Sequence, residues 1–163
     1  MRIGIDCGSL TVKGALLDDE GKVAASEHVV HEGEVLQTVR KVLFKLVDGN
    51  DRSEISVAFT GRHASGISAM LGIEPADPVA AEITGAKALF GRVNHIFHMG
   101  GSSVMLASLD SRGNLLDFTT NSACAAGTGS FLDEQAPRMG LSHEEANAIE
   151  PVASPPSVAT RCA

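Results

Sequence analysis

The chain has 163 residues, a formal net charge of −7, and a composition that is 44% hydrophobic and 20% charged. This balance suits one packed domain or two small lobes. The acidic charge and the absence of Trp and Tyr argue against a nucleic-acid partner, which needs clustered cations and stacking rings. No apolar run has the length of a membrane span, and the N-terminus resembles a strand more than a signal peptide. The sequence therefore predicts a cytoplasmic protein with no membrane partner.

The first half of the chain predicts the element order βββαβαα. The predicted strands are 2–6, a second one ending near 17, 22–30 and 55–59, and the predicted helices are 33–48, 63–71 and 78–90. Small residues form the turn 7–13, and Asp77-Pro78 supplies an N-cap and a first-turn proline for the last helix. This order is typical of a mixed ribonuclease-H-like sheet, of which four of the five strands are present.

The second half repeats the architecture of the first. Strands are predicted at 95–99, 104–109 and 115–119, helices at 127–139 and 142–149, and the beginning of a further strand at 157–163. The plan strand, small-residue turn, strand, hairpin, strand occurs in both 3–30 and 96–119. We therefore expect two lobes, 1–92 and 93–163, with a cleft between them. The second lobe lacks a helix for the far side of its sheet, as in a piece of a longer protein.

The three cysteines, Cys7, Cys124 and Cys162, are an odd number at wide spacing. They predict neither a disulfide framework nor a self-contained zinc site, since no Cys-x-x-Cys pair is present. Ligands for a metal would have to come from distant segments or from a second subunit. Cys7 ends a strand and is predicted to be a small buried thiol.

Cys124 lies where a glycine-rich loop is predicted to lead into a helix. Thr128 or Ser130 is expected to cap that helix, and free N–H groups with the helix dipole would favour an anion or a thiolate at Cys124. A metal-bound thiolate, a reactive thiol and a small buried cysteine are all consistent with this pattern. His95 and His98 are not expected to chelate one metal together, because positions i and i+3 of a strand face opposite sides.

Three stretches together are similar to those of one known family. They are the turn 6–13, the glycine pair 100–101, and Asn-Ser-Ala-Cys-Ala-Ala-Gly-Thr-Gly at 121–129. The chain resembles the BadF/BadG/BcrA/BcrD-type ATPases, which activate 2-hydroxyacyl-CoA dehydratases and benzoyl-CoA reductases and belong to the acetate-kinase/Hsp70/actin superfamily. The resemblance implies an α/β fold of ribonuclease-H-like (actin-like ATPase) lobes, with the second lobe incomplete.

The resemblance also implies a site for ATP with Mg²⁺. Asp6 would be the catalytic acid that binds the magnesium shell. The implied nucleotide-binding residues are Gly8, Ser9, Thr11, Lys13, Gly100, Gly101 and Ser102. Thr60-Gly61-Arg62 matches a further family turn, and Glu82 matches an acid on the helix before the second lobe.

By the same resemblance, Cys124 and Cys162 would be metal ligands. Two subunits of a homodimer would each contribute both thiolates to one shared [4Fe–4S] cluster. The implied function is that of an ATP-dependent iron–sulfur activator. It would take an electron from a low-potential donor, a ferredoxin or flavodoxin, and transfer it to a 2-hydroxyacyl-CoA dehydratase or benzoyl-CoA reductase-type partner.

The chain departs from the family pattern at the second phosphate turn, where the family has Asp-x-Gly-Gly-Gln-Asp. Here His98, Ser102 and Ser103 replace the two acids and the glutamine. Imidazole is a poor ligand for Mg²⁺, so ATP hydrolysis would be slowed. The alternative function is a catalytically impaired structural or regulatory module of a tandem activase. A third function, a sugar kinase, would need a carboxylate base at the mouth of the cleft, and no residue of the sequence can be assigned to it. Weak ATP binding is expected, since the family's adenosine-binding segment lies beyond this sequence.

Overall fold

The computed structural model describes residues 1–48, 55–121, 128–150 and 152–154. The chain divides into two compact units, Met1–Val93 and Asn94–Ala163. Within the described residues no helix combines the length and the hydropathy that a membrane span requires.

The first unit contains a four-stranded mixed sheet and three helices. Its elements are β1 (Arg2–Cys7), β2 (Thr11–Leu17), β3 (Val23–Val30), α1 (Val35–Val47), β4 (Ser56–Thr60), α2 (Ala64–Leu71) and α3 (Pro78–Phe90). The strand order is β3-β2-β1-β4, with β1 antiparallel to β2 and parallel to β4. The predicted βββαβαα order and four-strand sheet are confirmed. The strand ends differ from the prediction by one residue at most, except that β2 begins at Thr11, inside the turn predicted at 7–13.

Helix α1 covers one face of this sheet. The side chains of Ile3, Ile5 and Cys7 alternate along β1 onto that face and are almost completely buried against Val42 and its helical neighbours. Burial of each large aliphatic side chain contributes about 1.5–3 kcal/mol relative to exposure. The alternating pattern of β1 and the 3.6-residue pattern of α1 therefore specify the same core.

Gly14 of β2 allows α1 to approach this face closely. A Cβ atom at Gly14 would lie 2.6 Å from Val42 Cγ1 and 2.7 Å from Leu46 Cδ1. Those separations are shorter than a carbon–carbon contact allows, so a side chain at this position would push the helix or its side chains outward.

The opposite face of the sheet carries two rows of cross-strand neighbours. One row contains only small residues and the next contains polar ones. The small row is Ser26, Ala15, Gly4 and Ala58, and the polar row is His28, Lys13, Asp6 and Thr60. This register places the acid of β1 and the lysine of β2 side by side, where the two strands turn.

The second unit contains a three-stranded antiparallel sheet and two helices. Its elements are β5 (His95–Met99), β6 (Val104–Leu109), β7 (Leu115–Thr120), α4 (Gly129–Arg138) and α5 (His143–Asn147), with strand order β5-β6-β7. The strands were predicted correctly to within one residue. Helix α5 ends at Asn147 instead of 149, and the Ala148 N–H completes its last turn on the Glu144 and Glu145 carbonyls. The strand predicted at 157–163 lies outside the described residues.

Candidate functional site

At the turn between β1 and β2, an acidic and a basic side chain lie side by side where the two strands meet the turn. The N–H group of Gly8 donates to the Thr11 carbonyl at 3.0 Å and closes the turn. A Cβ atom at Gly8 would lie 2.9 Å from that carbonyl oxygen, so the close approach requires glycine. Lys13 Nζ donates to Asp6 Oδ2 at 3.2 Å, and both side chains are partly exposed. The turn thus presents a carboxylate and an ammonium group that an incoming ligand can reach.

The loop after β4 packs directly against this turn. Gly61 has a φ of +94°, and the His63 N–H donates to the Cys7 carbonyl at 2.9 Å. The Thr60 hydroxyl donates to the Ala76 carbonyl at 2.9 Å. The resemblance singled out Thr60-Gly61-Arg62 as a motif, and Thr60 and Gly61 lie beside Asp6 in the first unit.

His31 contacts the same turn from the segment after β3. Its Nε2 atom lies 3.0 Å from the Ser9 carbonyl oxygen, and its Nδ1 atom accepts from the Gly33 N–H at 3.0 Å. Sequence reasoning missed His31. The glycine two residues later was the only local signal, because it allows a tight turn before α1.

The Cys7 thiol is fully buried behind the turn, as predicted. Burial, which removes water from the thiolate, raises the pKa of Cys7 to about 11, and repulsion from the Asp6 carboxylate adds to the shift. A thiol with such a pKa is protonated near neutral pH and is a poor metal ligand. The remaining cysteines, Cys124 and Cys162, lie outside the described residues.

In the second unit, the turn after β5 binds the start of α4. The Gly129 and Ser130 N–H groups donate to the Gly100 and Gly101 carbonyls at 2.9 and 2.8 Å. The Ser130 hydroxyl also donates to the Gly101 carbonyl. The prediction of free N–H groups at this helix start is therefore wrong for the first two helical residues.

The capping prediction for α4 is also wrong. Thr128 occupies the N-cap position, but its side chain makes no capping hydrogen bond. The Ser130 hydroxyl donates to the Gly101 carbonyl of the turn and does not cap the helix. The long-range contact with the turn takes the place of the local cap that the sequence suggests. Helix α5, by contrast, begins with a capping box, in which the Ser142 and Glu145 side chains each accept a hydrogen bond from the other residue's N–H.

The sequence-predicted residues thus fall into two groups. The first unit brings together Asp6, Gly8, Ser9, Thr11 and Lys13, and the second brings together Gly100, Gly101 and Ser102. His98 also lies at the second turn, where its Nε2 atom would be 2.8 Å from a Cβ atom on Gly100. The described parts of the chain contain no group of three or more His, Cys, Asp or Glu side chains placed to hold a metal.

A depression of about 610 Å³ lies over the open face of the first sheet. Asp6, Lys13 and Thr60 line it together with the small residues of the neighbouring row. A lysine beside a glycine-rich turn is suited to phosphate oxygens, and a reachable carboxylate is suited to a hydrated Mg²⁺ ion. Another cavity of this unit, about 420 Å³ between α1 and α2, is lined by apolar side chains and Arg40, without a carboxylate.

Comparison with known proteins places this sequence in a family. A sequence model described as the BadF/BadG/BcrA/BcrD ATPase family matches residues 3–163. The 2-hydroxyisocaproyl-CoA dehydratase activator of Clostridioides difficile is 31% identical over 154 residues, which cover 90% of this chain and 55% of the activator. The chain thus spans about half the length of that relative.

Two solved structures are similar to most of this chain. The activator of the 2-hydroxyisocaproyl-CoA dehydratase from Clostridium difficile with bound ADPNP has a TM-score of 0.69 and 25% identity, over 86% of this chain and 53% of that one. Component A of the Acidaminococcus fermentans (R)-2-hydroxyglutaryl-CoA dehydratase has a TM-score of 0.76 and 22% identity, over 93% and 61%. The predicted α/β, actin-like ATPase fold is confirmed.

Proposed function

Because the chain belongs to the BadF/BadG/BcrA/BcrD ATPase family, we propose that it forms the first nucleotide-binding part of an ATP-dependent activator. The partner would be a 2-hydroxyacyl-CoA dehydratase or a benzoyl-CoA reductase-type enzyme. The observation that supports this proposal best is the Asp6–Lys13 pair at the base of the Gly8 turn. The printed name of the Clostridioides difficile relative, a dehydratase activator, supports the choice of partner.

Each residue of the first turn has a distinct proposed role. Lys13 would exchange its contact with Asp6 for phosphate oxygens, assisted by the hydroxyl groups of Ser9 and Thr11. The Asp6 carboxylate would then accept hydrogen bonds from the water shell of Mg²⁺, which neutralises phosphate charge when bound. Gly8 contributes the close approach of the backbone, since its own N–H is already donated to Thr11.

The second turn would contact the phosphates through Gly101 and Ser102. Gly100 donates its N–H to the Ser103 carbonyl at 2.7 Å, so its proposed role is to leave room for the turn. No carboxylate lies among the residues of this turn, 100–103. We therefore propose that Asp6 is the main acidic group for Mg²⁺ in this chain.

Asp6→Asn tests the proposal, with Asp117→Asn as the matched control. Asp117 is an exposed acid on β7. We expect Asp6→Asn to lower Mg–ATP affinity by tenfold or more, measured by calorimetry, because a charged ligand of the metal shell is lost. The free energy of unfolding should change by less than about 1 kcal/mol, since exposed ion pairs contribute little to stability. Equal nucleotide affinities in the two variants would contradict the assignment.

We further propose that Cys124 and Cys162 of two chains hold one [4Fe–4S] cluster in a homodimer. Support comes from the thiolate count, since a cluster takes four and each chain offers two besides the buried Cys7. A ferredoxin or flavodoxin would supply the electron. Anaerobic preparations should contain about four irons per dimer, and Cys124→Ser should lose them. A colourless monomer after anaerobic reconstitution would contradict the cluster.

A second candidate function is a catalytically impaired regulatory module. It is favoured by His98, whose ring reaches over Gly100 at the position of an acid in the family pattern. His98→Asp would restore that acid. A rise in ATP turnover above wild type would support the impaired module, and unchanged turnover would indicate that hydrolysis does not use this position.

A further inference from the structure

We propose that His31 is a positioning residue for the phosphate-binding turn. A neutral imidazole, protonated on Nε2, would fix the Ser9 carbonyl to the backbone that leads into α1. This inference rests on the proposed function for its consequence, ATP affinity, but its structural basis can be measured without any nucleotide.

The two hydrogen bonds of the ring determine its tautomer. The Gly33 N–H is a donor and lies 3.0 Å from Nδ1, so Nδ1 must offer a lone pair. The Ser9 carbonyl is an acceptor 3.0 Å from Nε2, so Nε2 must carry the proton. A neutral imidazole has one donor and one acceptor, and this arrangement uses both.

The backbone around His31 holds the ring in place. The His31 N–H donates to the Leu10 carbonyl at 3.1 Å, and the Glu34 N–H donates to the His31 carbonyl at 2.7 Å. Glu32, with φ of +47°, is the one non-glycine residue of positive φ in the described ranges. Such a conformation costs roughly 1 kcal/mol or more. Backbone strain of this kind persists only where the surrounding contacts hold the residue in that conformation.

The ring is also enclosed from the other side. The His63 ring meets it edge to face, with centroids 5.7 Å apart and planes at 84°. His63 is itself fixed by its N–H bond to the Cys7 carbonyl. His31 is 7% exposed, so little water competes for its two hydrogen bonds.

These contacts orient the peptide groups of the turn. The carbonyls of Ser9 and Leu10 both accept hydrogen bonds from His31. In a planar trans peptide the N–H points opposite to the C=O, so the Leu10 N–H is directed away from His31. Converging N–H groups of a turn are what hold phosphate, and loss of the Ser9 anchor would let this peptide rotate.

Two variants distinguish the roles of the two ring nitrogens. His31→Gln keeps an amide donor near the position of Nε2, and His31→Asn keeps an acceptor near the position of Nδ1 but loses the donor to Ser9. We expect His31→Gln to bind ATP within about threefold of wild type and His31→Asn to bind about tenfold more weakly, the scale of one buried hydrogen bond. Equal affinities in the two variants would overturn the proposal.

Ring ¹⁵N chemical shifts of the wild-type chain test the tautomer directly. They should show a protonated Nε2 and an unprotonated Nδ1 for His31, whether or not ATP binds; the opposite tautomer would overturn the inference even if a variant failed to fold. Amide exchange at Gly8 should quicken in His31→Asn and not in His31→Gln. If these signatures appear but wild type does not bind ATP, the proposed function fails and the positioning contact stands.

Discussion

Gly61 lies against the Asp6 carboxylate so closely that a methyl group on its Cα would overlap Asp6 Oδ1 and lie 2.8 Å from the Cys7 carbonyl oxygen. Its φ of +94° is in the region that L side chains rarely adopt. The loop after β4 and the acid at the end of β1 therefore fit together only with glycine at this position.

Gly61→Ala is expected to displace the acid or the loop and to weaken Mg–ATP binding by tenfold or more. The variant should also lose about 1–3 kcal/mol of unfolding free energy, because it combines a backbone strain with an overlap. Gly66→Ala is the matched control, since a Cβ there meets nothing within 4 Å in helix α2. Denaturant unfolding and calorimetry measure both quantities, and similar results for the two variants would contradict the fit.

The buried Cys7 thiol is expected to make stability fall at alkaline pH. Its pKa is raised to about 11 in the fold, so the unfolded chain releases this proton at a lower pH than the folded one. The stabilising contribution is complete below the ordinary thiol pKa and is lost as the pH rises to about 11, an effect of roughly 2–3 kcal/mol. Wild type should lose stability more steeply than Cys7→Ala over pH 9–11. Parallel slopes would contradict the prediction.

Gly14→Ala is expected to destabilise the first unit by about 1–3 kcal/mol, because the new methyl group would overlap Val42 and Leu46 of α1. Gly4→Ala is the control on the neighbouring strand, where a Cβ meets nothing within 4 Å. Thermal unfolding of the two variants should differ clearly. A stability of Gly14→Ala equal to that of Gly4→Ala would mean that α1 can shift to accommodate the methyl group.

Ser130→Ala is expected to lower ATP affinity, because it removes a hydrogen bond between α4 and the turn after β5, for which we propose contact with the phosphates. Ser142→Ala is the control, because it removes a serine hydroxyl from the capping box of α5, where the lost hydrogen bond contributes a comparable stabilisation of about 1 kcal/mol. The first variant should therefore weaken nucleotide binding by several-fold and the second should not. The coupling of turn and helix would be refuted if both variants bound ATP like wild type.

Local patterns predict much of this fold because the relevant physics is local. Alternation along β1 places Cys7 in the core, and a serine three residues before a glutamate specifies the cap of α5. The glycine and serine turns carry the family resemblance, which locates the candidate phosphate residues by number. Sequence by itself thus determined the element order of the described residues, the core face and the family.

Contacts between distant segments were decided only by the tertiary structure. His31 bonds to Ser9, Gly61 packs on Asp6, and Gly129 donates to Gly100. Each pair is separated by more than 20 positions in the sequence, and neither partner changes the periodicity of its own element. A hydrogen bond or a close approach of this kind depends on strand register and on how loops pack. These contacts form only when the strands of each sheet pair and bring the turns and loops of that unit together.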